Sequence, residues 1–268
     1  MNEKQLNDEG RDLWNSKAEF WDNLHGDEGN DFHRTLISPS VEKLLNLQSG
    51  ETVLDIGCGN GVMARRLAEL GGKVTGVDFS SELIALAKQR GQSSGDPIHY
   101  TVVDATDENA LVALGENSFD AIVCTMALMD MPTIKPMYRA VTQLLTDNGR
   151  FVFATSHPAF NSNNPVFVLE MGDDDGDISY NRSIKISTYL EAKPVLGGGA
   201  KGEPNPHYYY HRPLKELLGA GFEAGLVLDG IEEVAFPPDK LNFEKAIGWD
   251  TLSQIPAVLA GRFKVMTS

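Results

Sequence analysis

Three aspartates close three apolar runs: Asp55 in "TVLDI", Asp78 in "VTGVD" and Asp104 in "TVVDA". The first is followed at alternate positions by Gly57, Gly59 and Gly61, in "VLDIGCGNG". A strand running into such a turn brings a ligand against bare backbone, since glycine lacks Cβ and adopts positive φ freely. A carboxylate at the end of the second strand can hold ribose hydroxyls. The chemistry suggested is capture of a nucleotide-like ligand in one crevice at the carboxyl ends of three strands.

The glycine spacing bears on which ligand. A dinucleotide fingerprint has glycines at the first, third and sixth positions, and counted from Gly57 the sixth residue is Val62. Gly61 falls at the fifth, giving G-x-G-x-G, and the Gly-Lys-Ser/Thr of a Walker loop is absent. A nicotinamide-dependent oxidoreductase is therefore disfavoured.

Elements that could position these residues alternate between about 51 and 155. "TVLDI", "KVTGVD", "IHYTVVD", "FDAIVCTM" and "GRFVFATS" read as strands, rich in Val, Ile and Phe. "GVMARRLAELG", "SELIALAKQRG" and "TIKPMYRAVTQLLTDNG" read as the helices between them, with Ser80 as an N-cap. Alternation of this kind predicts an α/β, doubly wound, mostly parallel sheet. Residues 1–50 read as an N-terminal helical segment. Residues 156–211, rich in Asn, Gly, Pro and Asp, read as an insertion, long enough to be a lid. Residues 212–268 return to the core with the helix "PLKELLGAG" and the strands "FEAGLVLDGIEEVAF" and "GRFKVMTS".

The chain has 268 residues, enough for one domain with a full core. Its 23 basic and 38 acidic residues, net −15, would repel a phosphate backbone, so no nucleic-acid partner is expected. No apolar run approaches the 18 residues a membrane span needs, and the polar start does not read as a signal peptide. The expectation is a soluble, cytoplasmic protein whose two cysteines, Cys58 and Cys124, are reduced packing residues.

In their order and spacing, "VLDIGCGNG", "VTGVDFS", "VVDA", "FDAIVCTMALMDMP" and "LLTDNGRFVFATSHPAF" resemble the class I S-adenosylmethionine-dependent methyltransferases. The resemblance implies a Rossmann-like sheet of seven strands with the last antiparallel, and S-adenosylmethionine as cofactor. It implies that Asp55 and the Gly57–Gly61 backbone, with Cys58 and Asn60, approach the methionine end. Asp78 would take the ribose hydroxyls and Phe79 would lie against the adenine. Asp104 and Ala105 would meet the adenine edge, and Thr125, Met126 and Ala127 would wall the site. If the N-terminal segment is a cofactor lid, Arg34 could meet the cofactor carboxylate.

Methyl transfer from a sulfonium is an in-line displacement, and a base is needed only where the acceptor arrives protonated. His157, in "SHPAF" after the fifth strand, and His211, ending "HYYYH", are the candidate bases. The competing reading of His157 is a strand cap. Tyr208 and Tyr210 would share one face of a short strand and could line an acceptor pocket. "GDDDGD", from Gly172 to Asp177, fails as a calcium loop because Met171 and Arg182 would fall at the first and twelfth positions. No metal site is expected. The leading expectation is methyl transfer to a small molecule at O, N or activated C. The alternatives are modification of tRNA or protein, and a non-catalytic S-adenosylmethionine-binding protein.

Overall fold

The computed structural model describes residues 1–92, 98–161, 165–191, 193–242 and 244–266. The N-terminal segment folds as α1 (Glu3–Ser16), α2 (Ala18–His25), a π-helical turn at His33–Ile37, and α3 (Ser38–Leu45). The alternating region follows as β1 (Thr52–Ile56), α4 (Val62–Glu69), β2 (Lys73–Asp78), α5 (Ser81–Gly91), β3 (His99–Val102), α6 (Glu108–Val112) and β4 (Phe119–Thr125). After it come α7 (Lys135–Leu144) and β5 (Leu145–Ser156).

Two hairpins then precede the last core elements. They are β6 (Val166–Asp174) with β7 (Asp177–Lys185), and β8 (Pro194–Gly197) with β9 (His207–Tyr210). The chain closes with α8 (Leu214–Glu223), β10 (Leu226–Val234) and β11 (Val258–Val265).

The main sheet has seven strands in the order β10-β11-β5-β4-β1-β2-β3. Parallel pairing joins β3, β2, β1, β4 and β5, while β11 is antiparallel to both β5 and β10. This is the Rossmann-like arrangement expected, with the closing strand reversed. The order steps outward in opposite directions from β1 and β4, so their carboxyl ends form a topological switch point, where open α/β sheets bind ligands.

Both faces of the sheet are covered. On one, Tyr138 and Phe151, Phe153 and Phe263 pack in a fully buried aromatic cluster with α7 and α8. On the other, Leu36, Val41, Leu67, Ile84 and Tyr100 pack from the N-terminal segment, α4, α5 and β3.

Several boundaries differ from the sequence reading. The helix expected to run to Gly149 stops at Leu144, because Leu145 already pairs with Phe119 of β4. The strand expected from Phe222 starts at Leu226, since α8 carries the chain through Glu223. Within the insertion β7 ends at Lys185, and the last two residues of "GRFKVMTS" lie outside the described residues. "GDDDGD" is the exposed tip of the β6–β7 hairpin, where Asp175 and Gly176 take positive φ and Asp173 Oδ1 accepts the Gly176 N–H at 2.8 Å. No group of residues able to hold a metal occurs among the described residues. Nor is any described helix long and apolar enough to cross a membrane.

Candidate functional site

The glycine turn after β1 is held by backbone bonds. Gly57 and Cys58 both donate to the Val77 carbonyl of β2, at 2.8 and 3.0 Å. Gly57, Gly59 and Gly61 have φ of +71°, +55° and +84°, the left-handed region that side chains disfavour. A Cβ on Gly57 would stand 2.5 Å from the Ala127 Cβ, so the β1 and β4 ends can approach only because it is absent. A Cβ on Gly59 would meet nothing within 4 Å, and that open side faces a cavity of about 660 Å³.

The cavity gathers most of the residues expected of a cofactor site. Gly57, Cys58, Gly59 and Asn60 line it from the turn, and Asp78 and Phe79 from the end of β2. Asp104 and Ala105 follow β3, Thr125 ends β4, and Met126 and Ala127 follow it. Met126 has φ +53° with its N–H bonded to Ala154 at 2.7 Å, a strained non-glycine position that bends the chain out of β4 beside the cavity.

The carboxylates are differently disposed. Asp78 accepts the Gly59 N–H through Oδ2 and the Ser80 N–H through Oδ1, both at 2.9 Å. Burial raises its pKa to about 6 despite those two donors. Asp104 accepts Thr106 N–H and Oγ1–H through Oδ1 at 2.8 and 2.7 Å, and Asn7 of α1 through Oδ2 at 2.5 Å. Asp55 and Gly61 are not in the cavity wall. Asp55 is fully buried in the sheet behind the turn, and neither carboxylate oxygen has a partner of full hydrogen-bond geometry, although the Ala64 N–H at the start of α4 faces it. Burial, and then the Asp78 charge, push its pKa up to about 7. An Asp at the last-but-one position of a strand points into the sheet's packing layer rather than past its end. The sequence does not reveal that depth.

Other expected site residues lie elsewhere. His157 is buried with both ring nitrogens occupied: Nδ1 accepts the Ala159 N–H at 3.2 Å and Nε2 faces Glu233 at 2.9 Å. It caps the end of β5 and does not line the cavity. Arg34 is half exposed and spends its guanidinium on the Gly29 carbonyl and, at 2.5 Å, on Asp31. Tyr208 and Tyr210 lie on the wrong face of β9, and Tyr209 between them lines the cavity. His211 does line it, with Nε2 donating to the Tyr189 carbonyl at 2.8 Å.

Five further groups complete the chamber. Trp14 and Trp21 enter from the N-terminal helices, their rings 5.7 Å apart, and His25 and His33 stand beyond them. Val195–Gly199 enter from the β8–β9 hairpin, where a Cβ on Gly199 would strike Tyr209 and the Trp21 ring. Asp130, in the 3-10 turn Leu128–Asp130 after β4, and His207 also line it. Behind His207, Lys17 Nζ lies 2.6 Å from Glu203 Oε1 and 2.5 Å from His207 Nδ1, with the Lys17 and Glu203 side chains 0% and 2% exposed. The acid inside the apolar "MALMDMP" was the available sequence signal for Asp130; nothing local signals that Lys17 and Glu203, 186 positions apart, meet.

Among the described lining residues there are carboxylates and imidazoles but no lysine or arginine. That donor set does not suit a phosphate, and it fits a nucleoside carrying a positive charge.

Comparison with known proteins agrees. Residues 47–178 match the family model described as a methyltransferase domain. The chain is similar to the ubiquinone biosynthesis O-methyltransferases of Xanthomonas oryzae and Chromobacterium violaceum, 35% identical in each case over 107 residues. That stretch is 40% of this chain and 44–45% of those proteins, so the chain spans less than half the length of these curated relatives. A solved S-adenosylmethionine-dependent methyltransferase from Mesorhizobium loti superposes with a TM-score of 0.65 at 24% identity, over 84% of this chain and 95% of that one, which speaks for the fold alone. Together, the sheet order and the strand-end crevice place this methyltransferase-domain match, residues 47–178, on a Rossmann-like fold shared with solved S-adenosylmethionine-dependent methyltransferases.

Proposed function

We propose that this protein transfers a methyl group from S-adenosylmethionine to a small-molecule acceptor, at oxygen, nitrogen or an activated carbon. The observation that carries the reading is one continuous cavity joining the glycine turn to an aromatic chamber, with no cationic side chain among its described lining residues. The names of the curated relatives favour oxygen.

In this reading Asp78 holds the ribose hydroxyls, since each of its oxygens keeps a second lone pair after accepting Gly59 or Ser80. Phe79, Asp104 and Ala105 hold the adenine, and Gly57–Asn60 present backbone to the methionine end. When bound, the sulfonium supplies an electrophilic methyl group. The N-terminal helices and the β8–β9 hairpin act as covers that exclude water, supported by Trp14, Trp21, Val195 and Tyr209 in the cavity wall. The two buried free cysteines are consistent with a reducing, cytoplasmic setting.

Calorimetry with S-adenosylhomocysteine tests the cofactor half. Methyl transfer from labelled S-adenosylmethionine to neutral, cationic and anionic acceptors tests the rest. Absence of binding refutes the reading, and turnover confined to carboxylate- or phosphate-bearing acceptors refutes its acceptor side.

A further inference from the structure

Asp130 lines the cavity just past the end of β4. Its turn follows directly on Thr125–Ala127, which wall the cavity at the end of β4. The turn is clamped from both sides by Arg212, whose guanidinium donates to the Leu128 carbonyl at 2.8 Å and the Met131 carbonyl at 2.5 Å. The Asp130 side chain is 14% exposed and lines the cavity, and its Oδ1 has no hydrogen-bond donor. His207 Nε2 approaches that oxygen to 3.5 Å.

His207 is fixed from behind. Its Nδ1 lies 2.5 Å from the Lys17 ammonium and 3.1 Å from Glu203 Oε1, and in the tautomer in which Nδ1 accepts from Lys17 the ring proton sits on Nε2 and faces Asp130. Burial lowers the His207 pKa to about 4, keeping the ring neutral. Around Asp130 the charged groups are Lys17 and Arg212, which favour its carboxylate, and Asp78 and Glu203, which oppose it. Burial outweighs all of them, raising its proton affinity well above that of an ordinary carboxyl.

We propose, building on the methyl-transfer reading, that the acceptor is a neutral aromatic hydroxyl and that Asp130 takes its proton, oriented by the His207–Lys17–Glu203 cluster. Trp14, Trp21 and Tyr209 with Met129 and Met131 offer flat, apolar walls for a ring. No lysine or arginine among the described lining residues is there to meet an anionic substituent. An ammonium acceptor would be held in its protonated form by the same carboxylates, which hides the nucleophilic lone pair. A phenol ionises near pH ~10, and a carboxylate of raised proton affinity narrows that gap.

The step balances. The Asp130 carboxylate takes the hydroxyl proton while an oxygen lone pair forms the new bond to the methyl carbon. The carbon–sulfur bond breaks and its electron pair returns to sulfur. The products are an aryl methyl ether, S-adenosylhomocysteine and a protonated Asp130, which releases its proton to water. Asp130 is the catalytic residue here, and His207 is a positioning residue.

The test uses the full chain as wild type, Asp130→Asn and His207→Gln. Calorimetry with S-adenosylhomocysteine comes first, and a wild type that does not bind overturns the methyl-transfer reading itself. Labelled S-adenosylmethionine is then offered with 2-naphthol, catechol, a nitrophenol already ionised in solution, and phenethylamine. The expected result is that Asp130→Asn binds S-adenosylhomocysteine within about threefold of wild type. It should lose about 10²–10⁴ in kcat/KM on 2-naphthol and catechol, and far less on the nitrophenol, which needs no base. His207→Gln should shift the acid limb of the pH–rate profile, which a merely structural role would not do. A wild type that binds S-adenosylhomocysteine yet methylates none of the phenols overturns the proposal. So does preference for the amine, or an Asp130→Asn loss that is equal on ionised and neutral phenols.

Discussion

Lys17 and Glu203 form an ion pair with almost no solvent contact, and they join the N-terminal helices to the strand-rich insertion. Replacing Lys17 by methionine keeps most of the stem and removes the charge. Glu203 is then left buried, although the Gly199 N–H at 2.6 Å and Trp21 Nε1–H at 3.1 Å still donate to it. Breaking a buried pair from one side costs about 3–5 kcal/mol. Since two donors remain on Glu203, the lower end applies, about 3 kcal/mol. At this chain length each kcal/mol is worth roughly 2 °C, so Lys17→Met should lower Tm by about 6 °C. Glu203→Gln leaves the ammonium without its carboxylate and should cost a similar amount. The double variant keeps an acceptor for Gly199 and Trp21 with neither charge, and should recover at least about 2 kcal/mol of the summed losses. Urea titrations of the four proteins measure the cycle, and amide exchange in α1 shows whether the loss is local. Additivity within about 0.5 kcal/mol would mean that the two charges are not energetically coupled, and the reasoning would fail.

Two other substitutions probe the crevice. Gly57→Ala places a methyl group 2.5 Å from Ala127 at a φ of +71°, so S-adenosylhomocysteine affinity should fall at least about tenfold with a stability loss of about 1–2 kcal/mol; calorimetry showing unchanged affinity would contradict it. Asp55 has a folded pKa raised to about 7, above its unfolded value, so its stabilising contribution is complete below about pH 4 and is lost as pH rises to about 7. On the order of 4 kcal/mol is involved, and Asp55→Asn should flatten that part of the stability–pH curve, leaving the variant at least as stable as wild type at pH 8. A wild-type-minus-variant difference that does not change between pH 4 and pH 8 would count against it.

Much of the site was readable because its parts are local. Gly57, Gly59, Asp78 and Asp104 each sit at the end of a periodic apolar run, and a parallel α/β sheet brings such ends to one edge by topology alone. The same reasoning expected Asp55 at the crevice, but it is buried behind the cavity wall, since distance along a strand does not report depth within the sheet. His157 follows a strand end, but the Ala159 N–H and Glu233 occupy both its ring nitrogens.

The chain's own pattern therefore determined the alternating sheet and its strand-end crevice, while the reversed last strand and the cationic nucleoside came from the family resemblance. Only the tertiary structure decided which side chains line the rest of the cavity. Which of Tyr208, Tyr209 and Tyr210 enters the cavity depends on how the short β8–β9 hairpin docks, and a one-residue change of face moves every side chain. The Lys17–Glu203 pair and the His207–Asp130 approach arise between segments more than 70 positions apart. Their energetics come from burial, which no stretch of sequence carries by itself.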